Sequence, residues 1–168
     1  MLKIREPAPE FDCTAVVEGD VVQLEWNELH GRQNLVLLFA SVDEYDEGPD
    51  ELRTLSNAVR RFAELQCRLA VICRNDRFDI LTWMDRLSSE LRPQPVGFPA
   101  IIDASGEIAS LYDMLSEEGP LWGHVIADGN ARIRSYSAHA VPLGFNVDEL
   151  LRCVESIVAG NDDPAQPC

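Results

Sequence analysis

The sequence predicts an α/β fold, in which helices cover both faces of a mixed central sheet. Short apolar runs at residues 34–39 and 68–73 are typical of buried strands, and they alternate with segments whose apolar residues recur at helical spacing. Further along, Asp128-Gly129 separates two extended segments and favours a β-hairpin. A last helical segment follows. Strand-helix units followed by a hairpin and a helix indicate one mixed sheet with helices on both sides.

The first half of the chain supplies two extended segments, two strands and one helix. Residues 15–17 and 21–24 are predicted to be extended, with a turn between them. After the strand at 34–39, Pro49-Asp50-Glu51 is predicted to open a helix, because proline suits the first helical position and acids suit the positive end of the dipole. The apolar stripe of that helix is Leu52, Leu55, Val59, Phe62 and Leu65.

The second half begins with another helix and ends with one. Phe78, Leu81, Met84 and Leu87 recur at helical spacing, and the prolines at 93 and 95 end that helix. A strand over 98–103, a short helix over 106–112 and hairpin strands over 124–127 and 132–137 follow. The last helix covers 147–158. We expect a single domain over residues 1–160 and a flexible C-terminal tail over 161–168.

Composition restricts the classes of partner. The net charge of −15 disfavours nucleic acid and anionic membrane surfaces as partners. No apolar run approaches the roughly 20 residues that span a bilayer, and the N-terminus lacks an apolar leader. We therefore expect a cytoplasmic protein without nucleic-acid or membrane partners. No motif calls for a cofactor or a metal.

The cysteines do not form a recognisable framework. They are odd in number and no pair has C-x-x-C spacing, so neither a disulfide scaffold nor a zinc site is predicted. Packing in the protein interior is the interpretation for Cys13, Cys67, Cys73 and Cys153. Cys168 lies in the predicted tail, where a dispensable exposed thiol is the simplest interpretation.

Several segments in order resemble one known family. Residues 7–11 (PAPEF) are similar to an N-terminal APxF element, and residues 121–150 align without gaps on a Y-R-G-x-F-I-I-D-G … P-x-G-R-x-x-D-E pattern. The chain thus resembles the peroxiredoxins of the alkyl hydroperoxide reductase and thiol-specific antioxidant type. That resemblance implies a thioredoxin-like fold in one domain, and a homodimer or larger homo-oligomer.

The resemblance also implies an active-site loop, P-x-x-x-T/S-x-x-C, whose cysteine thiolate attacks the O–O bond of a peroxide. In this chain the motif proline falls on Ser41, the Thr/Ser on Tyr45 and the reactive cysteine on Gly48. Pro49 and Glu51, which follow the cysteine position, are retained. The loop resembles the family's site without its nucleophile.

The two family arginines are also replaced in this alignment, by Trp122 and Phe145. Residues 43–51 contain six acidic side chains, which would raise the pKa of a thiol placed among them. Even a cysteine restored at position 48 is therefore expected to be a poor nucleophile.

Three hypotheses about function stay open. The first is a non-catalytic family member acting as a binding or regulatory module, through its acidic loop or through mixed assembly with active relatives. The second is a thiol peroxidase or oxidoreductase using a relocated cysteine, with Cys73 and Cys168 as candidates. Cys168 lies close to where two-cysteine members keep a resolving cysteine. The third is a small-molecule or metal sensor built on the remodelled pocket.

Overall fold

A computed structural model describes residues 1–41, 50–140 and 145–161, with backbone only for residues 50–52 and 161. The helices of this part of the chain are α1 (Trp26–His30), α2 (Asp50–Glu64), α3 (Arg77–Leu91), α4 (Glu107–Leu111) and α5 (Val147–Asn161). The strands are β1 (Cys13–Val17), β2 (Asp20–Leu24), β3 (Asn34–Ala40), β4 (Cys67–Cys73), β5 (Ala100–Ile102), β6 (Leu115–Ser116), β7 (Gly119–Pro120), β8 (Trp122–Ala127) and β9 (Ile133–His139). None of these helices is both long enough and apolar enough to cross a membrane.

Seven strands form one mixed sheet in the order β2-β1-β5-β4-β3-β8-β9. The central strands β3, β4 and β5 are parallel, whereas β8 pairs antiparallel with β3 and β1 pairs antiparallel with β5. The parallel pairs are joined through helices, as a crossover requires. Strands β6 and β7 form a separate two-stranded ribbon.

Every residue of β3 is buried, and its side chains divide between two hydrophobic cores. Successive side chains of a strand point to opposite faces, so Val36 and Leu38 enter the first core while Leu37 and Phe39 enter the second. Helices α2, α3 and α5 cover the first core. Helices α1 and α4 and the N-terminal segment cover the second. The predicted mixed sheet with helices on both faces is confirmed.

Helix α3 is present as predicted, but Phe78 is not part of its buried stripe. Phe78 exposes 77% of its surface, whereas Met84 and Leu87 are buried with Ile80. Each residue advances a helix by about 100°, so Phe78 lies about 200° from Ile80 and points away from the sheet. The carboxylate of Asp76 caps this first turn by accepting hydrogen bonds from two backbone amides.

The hairpin predicted at Asp128-Gly129 is formed by β8 and β9, with a longer connection than a two-residue turn. The buried carboxylate of Asp128 accepts hydrogen bonds from the backbone amides of Asn130 and Arg132, at 2.9 and 3.0 Å. The left-handed residue is Ala131, at φ 55°, not the glycine. Gly129 instead permits close approach, because a Cβ there would lie 3.1 Å from the Arg32 carbonyl oxygen.

Candidate functional site

A cavity of 270 Å³ opens where β3 and β4 end. The parallel register pairs Phe39 with Ile72 and Ala40 with Cys73, so Ser41 and Arg74 follow side by side at the same edge of the sheet. Carboxyl ends of parallel strands are where open α/β sheets bind ligands. This edge of the sheet is therefore a candidate binding site.

Strand β8 brings a third wall to the same cavity. Because β8 runs antiparallel to β3 and pairs Gly123 with Phe39, its first residue, Trp122, lies beside the end of β3. Most of the lining is apolar. Apart from Ser41, Arg74 and Asn75, the cavity is lined by Phe39, Ala40, Ile72, Ala109, Met114, Pro120, Leu121 and Trp122.

Arg74 supplies the only cationic side chain among the described residues that line this cavity. Its Nε atom is buried and makes no hydrogen bond within the described part of the chain. The side chain packs against Gly106, where a Cβ would lie 3.3 Å from Nε. Gly106 has φ +77° and is the N-cap residue of α4, so this backbone conformation and this close packing both favour glycine.

Two carboxylates close to Arg74 in the sequence or in the sheet accept hydrogen bonds from helix amides. Asp76 caps α3. Asp103, which lies beside the end of β4 through a 2.8 Å hydrogen bond from its amide to the Cys73 carbonyl, accepts from the amides of Ile108 and Ala109. The ion pairs of the described residues join neither carboxylate to the guanidinium. Within residues 1–41, 50–140 and 145–161, the cavity thus holds a positive charge that these two carboxylates do not neutralise.

The polar side of the cavity is completed by Ser41 and Asn75. The Ser41 hydroxyl donates a 3.3 Å hydrogen bond to the Asn75 side-chain oxygen, which ties the ends of β3 and β4 together. Both residues are half-buried. The cavity therefore combines a large apolar wall with a few polar groups, the composition typical of small-molecule sites.

The structure brings two of the predicted site residues, Ser41 and Trp122, to this cavity. Phe145, the second arginine position, does not line it, and packs against the first core instead. The backbone of Glu51 lies in the first turn of α2. The remaining predicted positions lie outside the described residues: Tyr45, Gly48, Pro49 and Cys168.

None of the described cysteines lines the cavity, and all four are free thiols. Burial raises the pKa of Cys73 to about 12. Burial, opposed by a hydrogen bond with the Val36 backbone, raises that of Cys67 to about 12. Burial and the nearby charge of Asp12 raise that of Cys13 to about 11. The pKa of Cys153 is also raised, by burial first and then by a neighbouring carboxylate, against an opposing arginine. These groups are protonated at neutral pH.

His124, near the start of β8, does not line this cavity. Its Nδ1 lies 3.0 Å from the hydroxyl of Ser137. Burial lowers the pKa of His124, nearby His139 lowers it further, and Glu149 of α5 opposes the shift. His30, on α1, is buried and bonded to the Asp128 carbonyl, a structural role.

Metal binding finds no support within residues 1–41, 50–140 and 145–161. No group of three or more His, Cys, Asp or Glu side chains is arranged there to hold an ion. Most of the acidic segment 43–51 lies outside the described residues, so its capacity for a cation stays a hypothesis.

A second cavity, of 430 Å³, lies at the start of β4. Its arginine, unlike Arg74, has hydrogen-bond partners among the described residues. Arg68 lines it, but the Arg68 guanidinium donates to the carbonyls of Glu28 and Leu29 at the end of α1. Arg68 therefore caps the C-terminal end of α1. The cavity at the carboxyl ends of β3 and β4 is the better candidate site.

Sequence patterns alone did not single out Arg74. It follows directly on a buried strand and belongs to no motif. The alternation of side chains along β4 places it on the same face as Ile72, and the pairing with β3 then places it beside Ser41. Extending the alternation one step past the strand end was the only available indication.

Comparison with known proteins gives the family. The model of the AhpC/TSA family matches residues 4–136. Peroxiredoxin-2 of Pongo abelii is 29% identical over 168 residues, covering 99% of this chain and 94% of that protein. Peroxiredoxin-2 of Bos taurus is 30% identical over 155 residues, covering 91% of this chain and 77% of that protein.

Solved structures agree on the fold. The crystal structure of Enterococcus faecalis AhpC superposes with a TM-score of 0.83 at 22% identity, over 99% of this chain and 100% of the other. The thioredoxin-like architecture expected from the resemblance is thereby confirmed. With its family match spanning both the strands and the helices that build the cavity, this chain belongs to the AhpC/TSA family.

Proposed function

We propose that this chain is a member of the AhpC/TSA family that does not carry out the family's thiol chemistry and acts as a binding or regulatory module. The observation that carries the proposal is the state of its thiols. The four described cysteines have raised pKa values, and none lies at the cavity where β3 and β4 end.

The chemistry of peroxide reduction explains why this observation matters. The attacking species is a thiolate, and a low pKa in a partly exposed, electropositive setting is what makes a cysteine reactive. Cys73, at 1% exposure, has neither property. In our alignment the reactive position is Gly48, which has no side chain to ionise. The proposal therefore treats the family scaffold as retained and its nucleophile as lost.

Other parts of the proposal rest on the family and on charge. The relatives are peroxiredoxins by name, and we propose that this chain likewise forms a homodimer or a larger homo-oligomer. A net charge of −15 supports a protein or small-molecule partner and disfavours nucleic acid. A cytoplasmic location remains part of the same proposal.

A second candidate function is that of a thiol peroxidase that uses a relocated cysteine, and the names of the relatives favour it. One similar protein is a mitochondrial thioredoxin-dependent peroxide reductase of Drosophila melanogaster. Cys73 and Cys168 are the candidates for such a role. The burial of Cys73 argues against it, and Cys168 lies outside the described residues.

Peroxide consumption separates the two functions. The wild type and a variant with all cysteines replaced by serine are each incubated with hydrogen peroxide or an alkyl hydroperoxide and a thiol donor. An active peroxiredoxin serves as positive control. We expect both proteins to match the rate of the donor alone. A wild-type rate that exceeds the cysteine-free rate would establish a relocated thiol and overturn the proposal.

A further inference from the structure

The side chain of Arg74 lines the cavity, and its buried Nε–H has no acceptor among the described residues. Arginine remains charged at any physiological pH and is a donor only. Burying one of its N–H groups without an acceptor costs free energy that a hydrogen bond from a ligand would recover. Among the described residues, Asp76 and Asp103 already accept hydrogen bonds from helix amides.

The rest of the cavity limits what can bind. A volume of 270 Å³ has room for a small organic molecule. Phe39 and Trp122 contribute aromatic side chains to the lining. A single cation within an apolar wall matches one negative charge, because a second charge on the ligand would be buried without a counterion.

From this arrangement we propose that the cavity binds a small organic carboxylate, whose charged group pairs with Arg74 and whose apolar body lies against Phe39 and Trp122. A carboxylate can accept two parallel hydrogen bonds from the fork of a guanidinium, which gives orientation as well as affinity. The Ser41–Asn75 pair forms the neighbouring polar wall. The site gives the proposed binding function a ligand class.

This inference rests on the proposed function, since it gives the proposed binding module a class of ligand. The two proposals nevertheless fail separately. Binding is measured without peroxide or thiol donor, so absent binding removes the ligand class and leaves the inactive thiols untouched. Conversely, peroxide turnover would overturn the proposal that the chain lacks thiol chemistry, whatever the cavity binds.

The test is calorimetric titration of the full chain with benzoate, benzamide and inorganic phosphate. The buffer is held at physiological ionic strength, where the Debye length of about 8 Å screens the net negative charge of the protein. Benzamide has the shape of benzoate without its charge. We expect saturable benzoate binding and benzamide binding at least about tenfold weaker, as the loss of a charge-assisted hydrogen bond predicts. Phosphate should bind more weakly than benzoate, because it has no apolar body.

Two variants locate the site. Arg74→Met removes the guanidinium and should weaken benzoate binding by at least about tenfold. Arg77→Met removes the same charge from an exposed residue three positions away that does not line the cavity, and should change the affinity by less than about twofold. The comparison of benzoate with benzamide uses the wild type alone, so it stands even if a variant folds poorly.

The inference is overturned by any of four results. These are no saturable benzoate binding at millimolar concentrations, equal affinity for benzoate and benzamide, phosphate binding as tightly as benzoate, or equal loss of affinity in Arg74→Met and Arg77→Met.

Discussion

Thiol ionisation allows a quantitative prediction about Cys73. The perturbation is a variant in which Cys73 is the only cysteine, the other four being replaced by alanine. With a pKa of about 12, about one group in ten thousand is a thiolate at pH 8. A thiol at the reference value of 9.0 is about one-tenth ionised at that pH. Burial thus lowers the thiolate fraction of Cys73 by about a thousandfold.

The assay is the reaction of this variant with a chromogenic disulfide reagent, followed by absorbance. The same variant in concentrated guanidinium chloride is the matched control, since unfolding restores an ordinary pKa and removes the steric barrier. We expect the native rate at pH 8 to be at least about a thousandfold below the unfolded rate, because burial adds steric exclusion to low ionisation. A native rate within about tenfold of the unfolded rate would refute the argument that Cys73 is inert.

Three further predictions concern other parts of the chain. Gly48→Cys alone should not produce peroxide turnover with a thiol donor, because six acidic residues in 43–51 oppose thiolate formation; fast turnover would contradict this. The folded-state pKa of His124 lies below its reference value of 6.5, so the unfolded state binds more protons. The contribution of His124 to the free energy of unfolding should therefore be complete above pH 6.5 and fall as the pH drops below it. Urea midpoints at pH 7.5 and 5.5 should differ less in His124→Gln than in the wild type. An unchanged difference would contradict the lowered pKa of His124. Tyr112→Phe removes the 2.6 Å hydrogen bond from the hydroxyl to the Pro9 carbonyl but keeps the ring contacts. Urea unfolding should show that the free energy of unfolding falls by about 1 kcal/mol. An unchanged free energy would show that this hydrogen bond does not contribute to stability.

The main elements of the fold could be predicted because their signals are local and strong. The apolar run of β3 is buried on both faces, and such a run can be recognised without knowing its neighbours. Helix α1 was missed because five residues are too few for a periodic pattern, although Glu25 and Glu28 form a capping box at its start. The β6–β7 ribbon has two residues in each strand and gives no pattern either.

The candidate site was predictable only in part. Ser41 and Trp122 were found through resemblance to family motifs, and the structure places both at one cavity. Arg74 was not found, because its importance depends on the pairing of β3 with β4 and on carboxylates being engaged elsewhere. Phe145 shows the opposite case, since alignment placed it at the site while packing places it against the first core.

The central claim is that no thiol of this chain is oxidised by peroxide as a peroxidatic cysteine is. A single-turnover measurement tests it most directly, because it needs no matched electron donor. The full-length wild type is mixed with equimolar hydrogen peroxide and a sulfenic-acid trap at neutral pH, and its intact mass is followed with an active peroxiredoxin in parallel. We predict that the control gains the trap within the reaction time and that this chain keeps its unmodified mass. Rapid, stoichiometric addition of the trap to one cysteine would contradict the account.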